Sequence, residues 1–296
     1  MATIRKRTVN RQKYYYLEHA LREGSKVKKK ELYLGKKIPK DIEGIKRKFL
    51  ADIYKEKWYK TLDKIKGAYS KEQKEMPKSA REKELETFTV KFTYDTQKIE
   101  GSKLTLRETA DLLERGITPK ARPTEDVKEA EAHKALFQEI LKYKKDLSLN
   151  LTLGWHRKLF QATKSDAAGK IRTHQVAISG TKFMPPSPVE VYPLLKEFFR
   201  WYERNKSKMH PVELAALVHL KFVTIHPFAD GNGRISRLMM NFVLNMHHYP
   251  MLDIPYEGRD SYYNALERAQ TKDIESIFLQ WFIKKYIKEH RRYLKK

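Results

Sequence analysis

The sequence predicts a mainly α-helical protein with a small β unit at its N-terminus. From Asp41 onward, apolar residues recur at helical spacing. Later in the chain, Pro211 stands at the first turn of a strongly apolar segment that runs to Ile225, a position that favours the start of a helix. The segment 12–35 differs, because its apolar and aromatic residues alternate with basic ones, as is typical of strands.

The N-terminal β unit is predicted as two strands around a turn. Tyr14–Leu17 forms the first strand and Val27–Leu34 the second, with Glu23, Gly24 and Ser25 between them. A lone hairpin is marginally stable in water. We therefore expect this unit to pack on the rest of the chain or to gain a further strand.

The rest of the chain is predicted to be helical, with a polar linker around Pro77. Helical spacing, proline starts and glycine ends predict the helices 41–68, 106–115, 124–143, 151–162, 189–203 and 211–225, and helical sequence over 261–293. We expect Trp155, Leu159 and Phe160 to lie in the core. These changes of pattern divide the chain into a basic β unit over 1–40, a helical connector over 41–90 and a larger domain over 91–296.

One further β element is predicted inside the large domain. Val176–Phe183 has the pattern of a β-hairpin, with Ser179 and Gly180 at its turn and prolines from Pro185 onward that stop the second strand. The edge of such a hairpin can hold a segment of another protein by strand addition.

Composition excludes several classes of protein. The 296 residues include no cysteine, which rules out disulfides and thiolate chemistry. No apolar run is long enough to span a membrane and no secretory signal is present, so we expect a cytoplasmic protein. The net charge is +25, and the first 40 residues hold 13 Lys and Arg against 3 Glu. Nucleic acid is therefore one partner to consider.

The most informative segment is HPFADGNGRISR, residues 226–237. Pro227 should end the preceding helix and leave His226 at its C-terminus. Gly231 and Gly233 allow a turn whose N–H groups face one side, at the start of the next helix, where phosphate is favoured.

The charged residues of this segment suit phosphoryl chemistry. Arg234 and Arg237 lie one helical turn apart and can reach the same anion. Asp230 is a hard oxygen ligand suited to hold Mg²⁺ against phosphates. His226 is a candidate base, because the pKa of imidazole lies near neutral pH.

The segment 226–237 resembles the complete signature of the Fic family, HxFx(D/E)GNGRxxR, and the likeness extends over roughly residues 90–285. The resemblance implies a Fic-type helical core and an ATP-dependent protein adenylyltransferase, which moves AMP from ATP to a hydroxyl of a target protein. It also implies that the predicted hairpin is the flap that aligns the acceptor. A relative that transfers phosphate instead has lysine where this chain has Gly233, so glycine favours AMP transfer.

The resemblance assigns further roles. His226 becomes the base that deprotonates the hydroxyl, and Asp230 the Mg²⁺ ligand. The residues implied to contact the nucleotide are Gly231, Asn232, Gly233, Arg234 and Arg237 at the phosphates, Ser179, Gly180, Thr181 and Lys182 in the flap, and Tyr262, Tyr263 and Gln270 around adenosine. Gln270 departs from the family, in which many members have asparagine.

An inhibitory glutamate is the last expectation. Thr96 and Glu100 share a helix face before Gly101, which is suited to end the helix. The segment resembles the family's inhibitory motif, (S/T)xxxE(G/N), in the class whose inhibitory helix precedes the core. The resemblance implies that Glu100 pairs with Arg237 and blocks the γ-phosphate position.

Two alternatives stay open. Glu100 could position water, so that the enzyme removes AMP from a modified protein. The chain could instead be a nucleic-acid-binding regulator that uses residues 1–40. The target protein, with its serine, threonine or tyrosine hydroxyl, self-modification and a homodimer are also left open.

Overall fold

A three-stranded antiparallel sheet opens the chain in a computed structural model that describes residues 2–23 and 26–295. The strands β1 (Thr3–Val9), β2 (Gln12–Glu23) and β3 (Lys26–Gly35) pair in sequence order. The sequence predicted only two of them. β1 is the further strand that a marginal hairpin needs. Of the predicted turn, Gly24 and Ser25 lie outside the described residues.

β1 was missed because the turn that follows it has no glycine. Asn10 and Arg11 form a two-residue connection with φ of 49° and 63°. Such left-handed pairs are preferred in hairpins because their twist matches that of the strands, and Asn-Gly is their usual sequence. Arginine at the second position conceals this turn from a sequence pattern.

The chain divides into two compact units, residues 1–63 and 64–296. In the first unit, Leu17 is completely buried and Ile53 nearly so, and the His19 ring lies 5.8 Å from that of Tyr54. Tyr54 belongs to the first helix, so one face of the sheet is packed within this unit.

The remaining elements are helices, which confirms the mainly helical fold class. They are α1 (Ile42–Glu75), α2 (Lys78–Ile99), α3 (Leu106–Arg115), α4 (Thr124–Lys142), α5 (Leu149–Phe160), α6 (Pro188–Asn205), α7 (Pro211–Ile225), α8 (Asn232–Met246), α9 (Arg259–Lys272) and α10 (Glu275–Glu289), with 3₁₀ turns at Tyr256–Gly258 and Arg291–Leu294.

Several predicted boundaries are offset by one or two residues, and two predicted features differ more from the structure. The polar linker around Pro77 is helical on both sides and breaks only at residues 76 and 77, because proline cannot donate to the helix and disfavours helical backbone before it. The C-terminal helical sequence is interrupted at Asp273, which adopts φ 53° between α9 and α10.

The predicted β-hairpin over residues 176–183, here called the flap segment, is absent as a ladder. Ser179 and Gly180 do form a turn, and Gly180 has φ 78°, but neither arm is a strand. A two-stranded ladder without a third strand gains too little to persist. The backbone N–H of Lys182 instead donates to the Glu267 carboxylate on α9, 2.8 Å away.

α7 and α8 form the centre of the larger unit. Nearly every side chain of both helices is buried, and α7 packs against α6, α8 and α10. Trp155, Leu159 and Phe160 are buried, as predicted. Within residues 2–23 and 26–295, no helix is both long and apolar enough to cross a membrane. The loop that joins α7 to α8 is thus held at both ends by rigid, buried helices.

Candidate active site

His226 terminates α7 in a left-handed conformation, with φ 52° and ψ 58°. Its Nδ1 lies 3.2 Å from the carbonyl oxygen of Val223. Because a carbonyl only accepts, Nδ1 carries the proton and Nε2 keeps a lone pair. Burial lowers the pKa of His226, and this effect outweighs the Val223 hydrogen bond.

The loop after His226 is closed by Asn232. Its amide nitrogen donates to the carbonyl of Phe228 at 2.8 Å, and its amide oxygen accepts from the N–H of Phe228 at 2.9 Å. Asn232 was predicted to contact the nucleotide, but the structure uses its side chain to fix the loop. The backbone N–H of Asn232 lies in the first turn of α8, where N–H groups have no acceptor within the helix.

The backbone conformation and the close packing at position 231 both require glycine. Its φ is 82°, and a Cβ there would lie 2.3 Å from Cε2 of Phe160. The ring of His156 also stacks on Phe228, with centroids 3.7 Å apart. The Gly169 N–H donates to Nδ1 of His156, so Nε2 donates to the carbonyl of Asp230 at 3.0 Å.

The first arginine of the motif is already bound to carboxylates of the protein. The buried Arg234 donates to Glu129, to the Gln97 side chain at 3.2 Å and to Asp230 at 2.9 Å. Lys164 Nζ lies 2.6 Å from the same Asp230 oxygen. Burial would raise the pKa of Asp230, but these two cations and the Gly231 N–H lower it to about 2.

The second motif arginine meets Glu100. Arg237 is 1% exposed, and its Nη2 lies 2.6 Å from Oε1 of Glu100, which caps α2 before Gly101. The expected pairing across the sequence is therefore present. The two arginines share no carboxylate in this structure, since Arg234 contacts Glu129 and Asp230 and Arg237 contacts Glu100, although the sequence placed both on one anion.

Gly233 leaves the room that Glu100 occupies. A Cβ on Gly233 would lie 2.3 Å from Oε1 of Glu100 and 3.1 Å from Nη1 of Arg237. The absence of a side chain there thus permits the carboxylate to reach the start of α8.

The two tyrosines of α9 have different environments. Tyr262 is 1% exposed, and its hydroxyl lies 3.0 Å from Nε2 of His219 and 3.4 Å from Nη1 of Arg237. Tyr263 is half-exposed and donates to the carbonyl of Ile99 at 3.0 Å. Tyr262 therefore supports Arg237 from within the core, whereas Tyr263 borders the end of α2.

None of the other predicted nucleotide contacts shares a hydrogen bond with the described residues 226–232. The flap residues Ser179, Gly180 and Lys182 are exposed, and Oγ1 of Thr181 accepts from the Phe183 N–H. Gln270 donates to Thr224 at 3.1 Å and lines a cavity of about 280 Å³. Thr224 and Ile225, which precede His226, line this cavity too.

Arg172 connects the loop to the flap. This buried side chain donates to the carbonyls of His226 at 2.8 Å, His174 at 3.0 Å and Pro186 at 2.6 Å. Its backbone N–H donates to the carbonyl of Pro227 at 2.9 Å. No such role was predicted for Arg172, and sequence reasoning did not single out His156, Lys164, Glu129 or Gln97.

No group of three or more acidic or histidine side chains in the described part of the chain could hold a metal ion by itself. Asp230 is a single ionised carboxylate at the glycine turn. Mg²⁺ is commonly bound by one or two carboxylates together with substrate phosphates, and Asp230 fits that requirement.

The geometry defines a class of helical domain in which a histidine ends one helix and a glycine turn leads into the next helix, which carries two buried arginines. Residues 146–244 match the sequence model of the Fic/DOC family. The chain therefore contains a Fic-type domain over residues 146–244.

Relatives and solved structures agree. A protein adenylyltransferase Fic of Drosophila ananassae is 36% identical over 185 residues, 61% of this chain and 37% of that protein. A Fic-domain-containing signaling protein from Bacteroides thetaiotaomicron has a TM-score of 0.69 and 29% identity, over 78% of this chain and 95% of that one. Fic-1 from C. elegans has a TM-score of 0.70 and 27% identity, over 83% and 72%. The chain thus spans little more than a third of that Drosophila relative.

Proposed function

We propose that the protein is an ATP-dependent protein adenylyltransferase whose resting state is inhibited by Glu100. The observation that carries this proposal is the joint presence of a base with a free lone pair, His226, and the Glu100–Arg237 ion pair at 2.6 Å. The similarity to adenylyltransferases over 185 residues supports the same reaction.

The reaction needs one proton acceptor and one phosphate cradle. An acceptor hydroxyl on the target attacks the α-phosphorus of ATP as its proton passes to Nε2 of His226. A new oxygen–phosphorus bond forms, the bond to the β-phosphate oxygen breaks, and pyrophosphate leaves. Nδ1 keeps its hydrogen bond to Val223 throughout, which holds the ring in place. Catalysis is then mainly positioning and charge stabilisation.

The first turn of α8 supplies the cradle. The N–H groups of Asn232 and Gly233 and the positive end of the helix dipole favour phosphate. Asp230 would hold Mg²⁺, which neutralises phosphate charge when bound. For that, the contacts of Asp230 with Lys164 and Arg234 must loosen, because all three groups compete for one carboxylate.

Inhibition follows from competition for Arg237. A buried guanidinium that already pairs with a carboxylate is not available to the γ-phosphate. Movement of Glu100 would release Arg237 and also clear the space beside Gly233. The residues in these contacts lie between 96 and 263, which supports a catalytic domain over about 91–296.

Incubation with α-labelled ATP, Mg²⁺ and candidate target proteins tests the activity. We expect label on a hydroxyl side chain of the target, or on the protein itself, and no label with His226→Ala. If neither the wild type nor Glu100→Gly labels any protein, the adenylyltransferase assignment is wrong.

Removal of AMP is a second candidate, favoured by the second carboxylate oxygen of Glu100. Only Oε1 binds Arg237, and the side chain remains 25% exposed at the site. Oε2 can therefore orient a water molecule toward a bound phosphate ester. AMP release from a modified target, abolished by Glu100→Ala, would support this activity, and release that persists in that variant would exclude this role of Glu100.

A further inference from the structure

Three tyrosines lie together on one face of the N-terminal sheet. Tyr16 pairs directly with Arg5 on β1 and with Tyr33 on β3, and Tyr14 pairs with Arg7. Directly paired residues of an antiparallel sheet point to the same side. We call this side, defined by Tyr14, Tyr16 and Tyr33, the tyrosine face.

The rings form a continuous patch. The centroid of Tyr33 lies 5.2 Å from that of Tyr16 and 6.3 Å from that of Tyr14. The guanidinium of Arg7 lies 4.5 Å above the Tyr16 ring. Tyr33 is 52% exposed, although its ring would contribute more to the stability of the fold if it were buried. The opposite face contains the fully buried Leu17, so the sheet has one closed and one open side.

Positive charge surrounds these rings. Residues 1–40 hold 13 Lys and Arg against 3 Glu. Arg7 is compensated by Glu18 and Glu31, at 2.9 and 2.5 Å, which fix it over Tyr16. Arg5 lies 3.5 Å from Glu18 but is 67% exposed, and Lys29 on the same face is exposed without an ion pair to any described residue.

This combination points to one kind of partner. Lysines on edge strands also discourage pairing with other sheets, which accounts for the charge but not for the open aromatic rings. An acidic protein surface would meet the charge, but it offers no flat rings at regular spacing. Unpaired bases stack on aromatic side chains while cations contact the backbone phosphates. We propose that the tyrosine face binds single-stranded nucleic acid.

Fluorescence anisotropy of the full chain with a labelled single-stranded oligonucleotide tests the stacking. Tyr33→Leu keeps an apolar side chain and removes the flat ring, so we expect affinity to fall at least about fivefold. Tyr33→Phe should bind as the wild type does. Tyr192→Leu is the matched control, since Tyr192 is 48% exposed, lies beneath a lysine and belongs to α6. It should leave affinity unchanged.

The dependence on salt tests the phosphate contacts. Lys29→Ala should reduce the slope of log affinity against log salt by about 0.7, the value for one phosphate of a single strand. The control Lys288→Ala, an exposed lysine of α10, should leave the slope as it is.

Three outcomes would overturn the proposal. They are the absence of binding, equal affinity for Tyr33→Leu and the wild type, and an equal loss with the α6 or α10 controls. The last would indicate a general attraction to the net charge of +25. Because none of these positions belongs to the candidate active site, AMP transfer should be the same in every variant.

Discussion

At the residue scale, the conformation of His226 bears most directly on function. A non-glycine residue at φ 52° costs about 1–3 kcal/mol and persists only where its surroundings impose it. Here Pro227 ends α7, the carbonyl of Val223 holds the ring, and Arg172 holds the His226 carbonyl. With Nδ1 bound to the Val223 carbonyl, Nε2 is the ring nitrogen left to accept a proton.

The pH dependence of AMP transfer should report the environment of His226. Burial lowers the pKa of this group, so the neutral base persists at more acidic pH than free imidazole does. The rate should therefore rise with pH through an inflection below about 6.5 and stay level above it. The measurement is kcat/KM of Glu100→Gly across that range, and an inflection above the ordinary value would contradict this environment.

Gly231 should tolerate no side chain. Its φ of 82° opposes alanine, and so does the Phe160 ring, which would lie 2.3 Å from the added Cβ. We expect Gly231→Ala to lower the free energy of unfolding by about 2 kcal/mol or more and to abolish AMP transfer. The control Gly154→Ala, in α5 with no atom within 4 Å of the added carbon, should be neutral or stabilising by up to about 1 kcal/mol. Urea unfolding distinguishes the two, and equal effects would show that the close packing at Gly231 is unimportant.

Single residues also show where sequence reasoning ends. His226, Asp230, Arg234 and Arg237 stand in one short segment, so their proximity could be predicted. Gln97, Glu129 and Lys164 reach Arg234 and Asp230 from α2, α4 and the turn after α5. The sequence around a polar residue does not show whether its side chain forms a buried ion pair or faces solvent.

At the element scale, the buried Arg172 joins the loop after α7 to the flap segment. Its three side-chain donors bind the carbonyl of His226 and carbonyls on both sides of the flap segment. The flap has no ladder of its own, so these bonds and the contact of Lys182 with Glu267 hold its position. We infer that Arg172 is a positioning residue for the base and for the acceptor.

Arg172→Ala should lower kcat at least about tenfold and leave the Kd for ATP nearly unchanged, because each buried carbonyl left without a donor costs about 1–3 kcal/mol. Arg172→Lys should recover only part of the rate, since lysine lacks the planar fork. The neighbouring Thr173→Ala, at an exposed position, is the control. A loss of ATP affinity equal to the loss of kcat would indicate a general structural role instead.

Elements with strong local signals were predicted well. α3 and α7 have the predicted bounds, because a capping box and Gly116 delimit α3 and Pro211 starts α7. β1 was missed because the signal of its turn lies in the backbone of Asn10 and Arg11. The prediction of a β-hairpin in the flap segment was wrong, because alternating apolar residues and a Ser-Gly turn do not show whether the two arms pair as strands.

At the scale of the whole molecule, the central contact joins residues 137 positions apart. The end of α2 brings Glu100 to Arg237 on α8, and Tyr262 on α9 supports the same guanidinium. Periodicity predicts each helix but not which helices meet. Only the likeness to the inhibitory motif predicted this pairing, and its effect on activity remains a prediction.

The most direct test compares the rate of AMP transfer of Glu100→Gly with that of the wild type, using α-labelled ATP and following label on the protein itself. Glu75→Gly, the same change at the end of α1, and the double variant Glu100→Gly/His226→Ala serve as controls. We expect Glu100→Gly to transfer AMP at least about tenfold faster, because loss of about 1.4 kcal/mol of inhibition suffices. Glu75→Gly should match the wild type, and the double variant should be inactive. Equal rates for Glu100→Gly and the wild type would contradict autoinhibition by the Glu100–Arg237 pair.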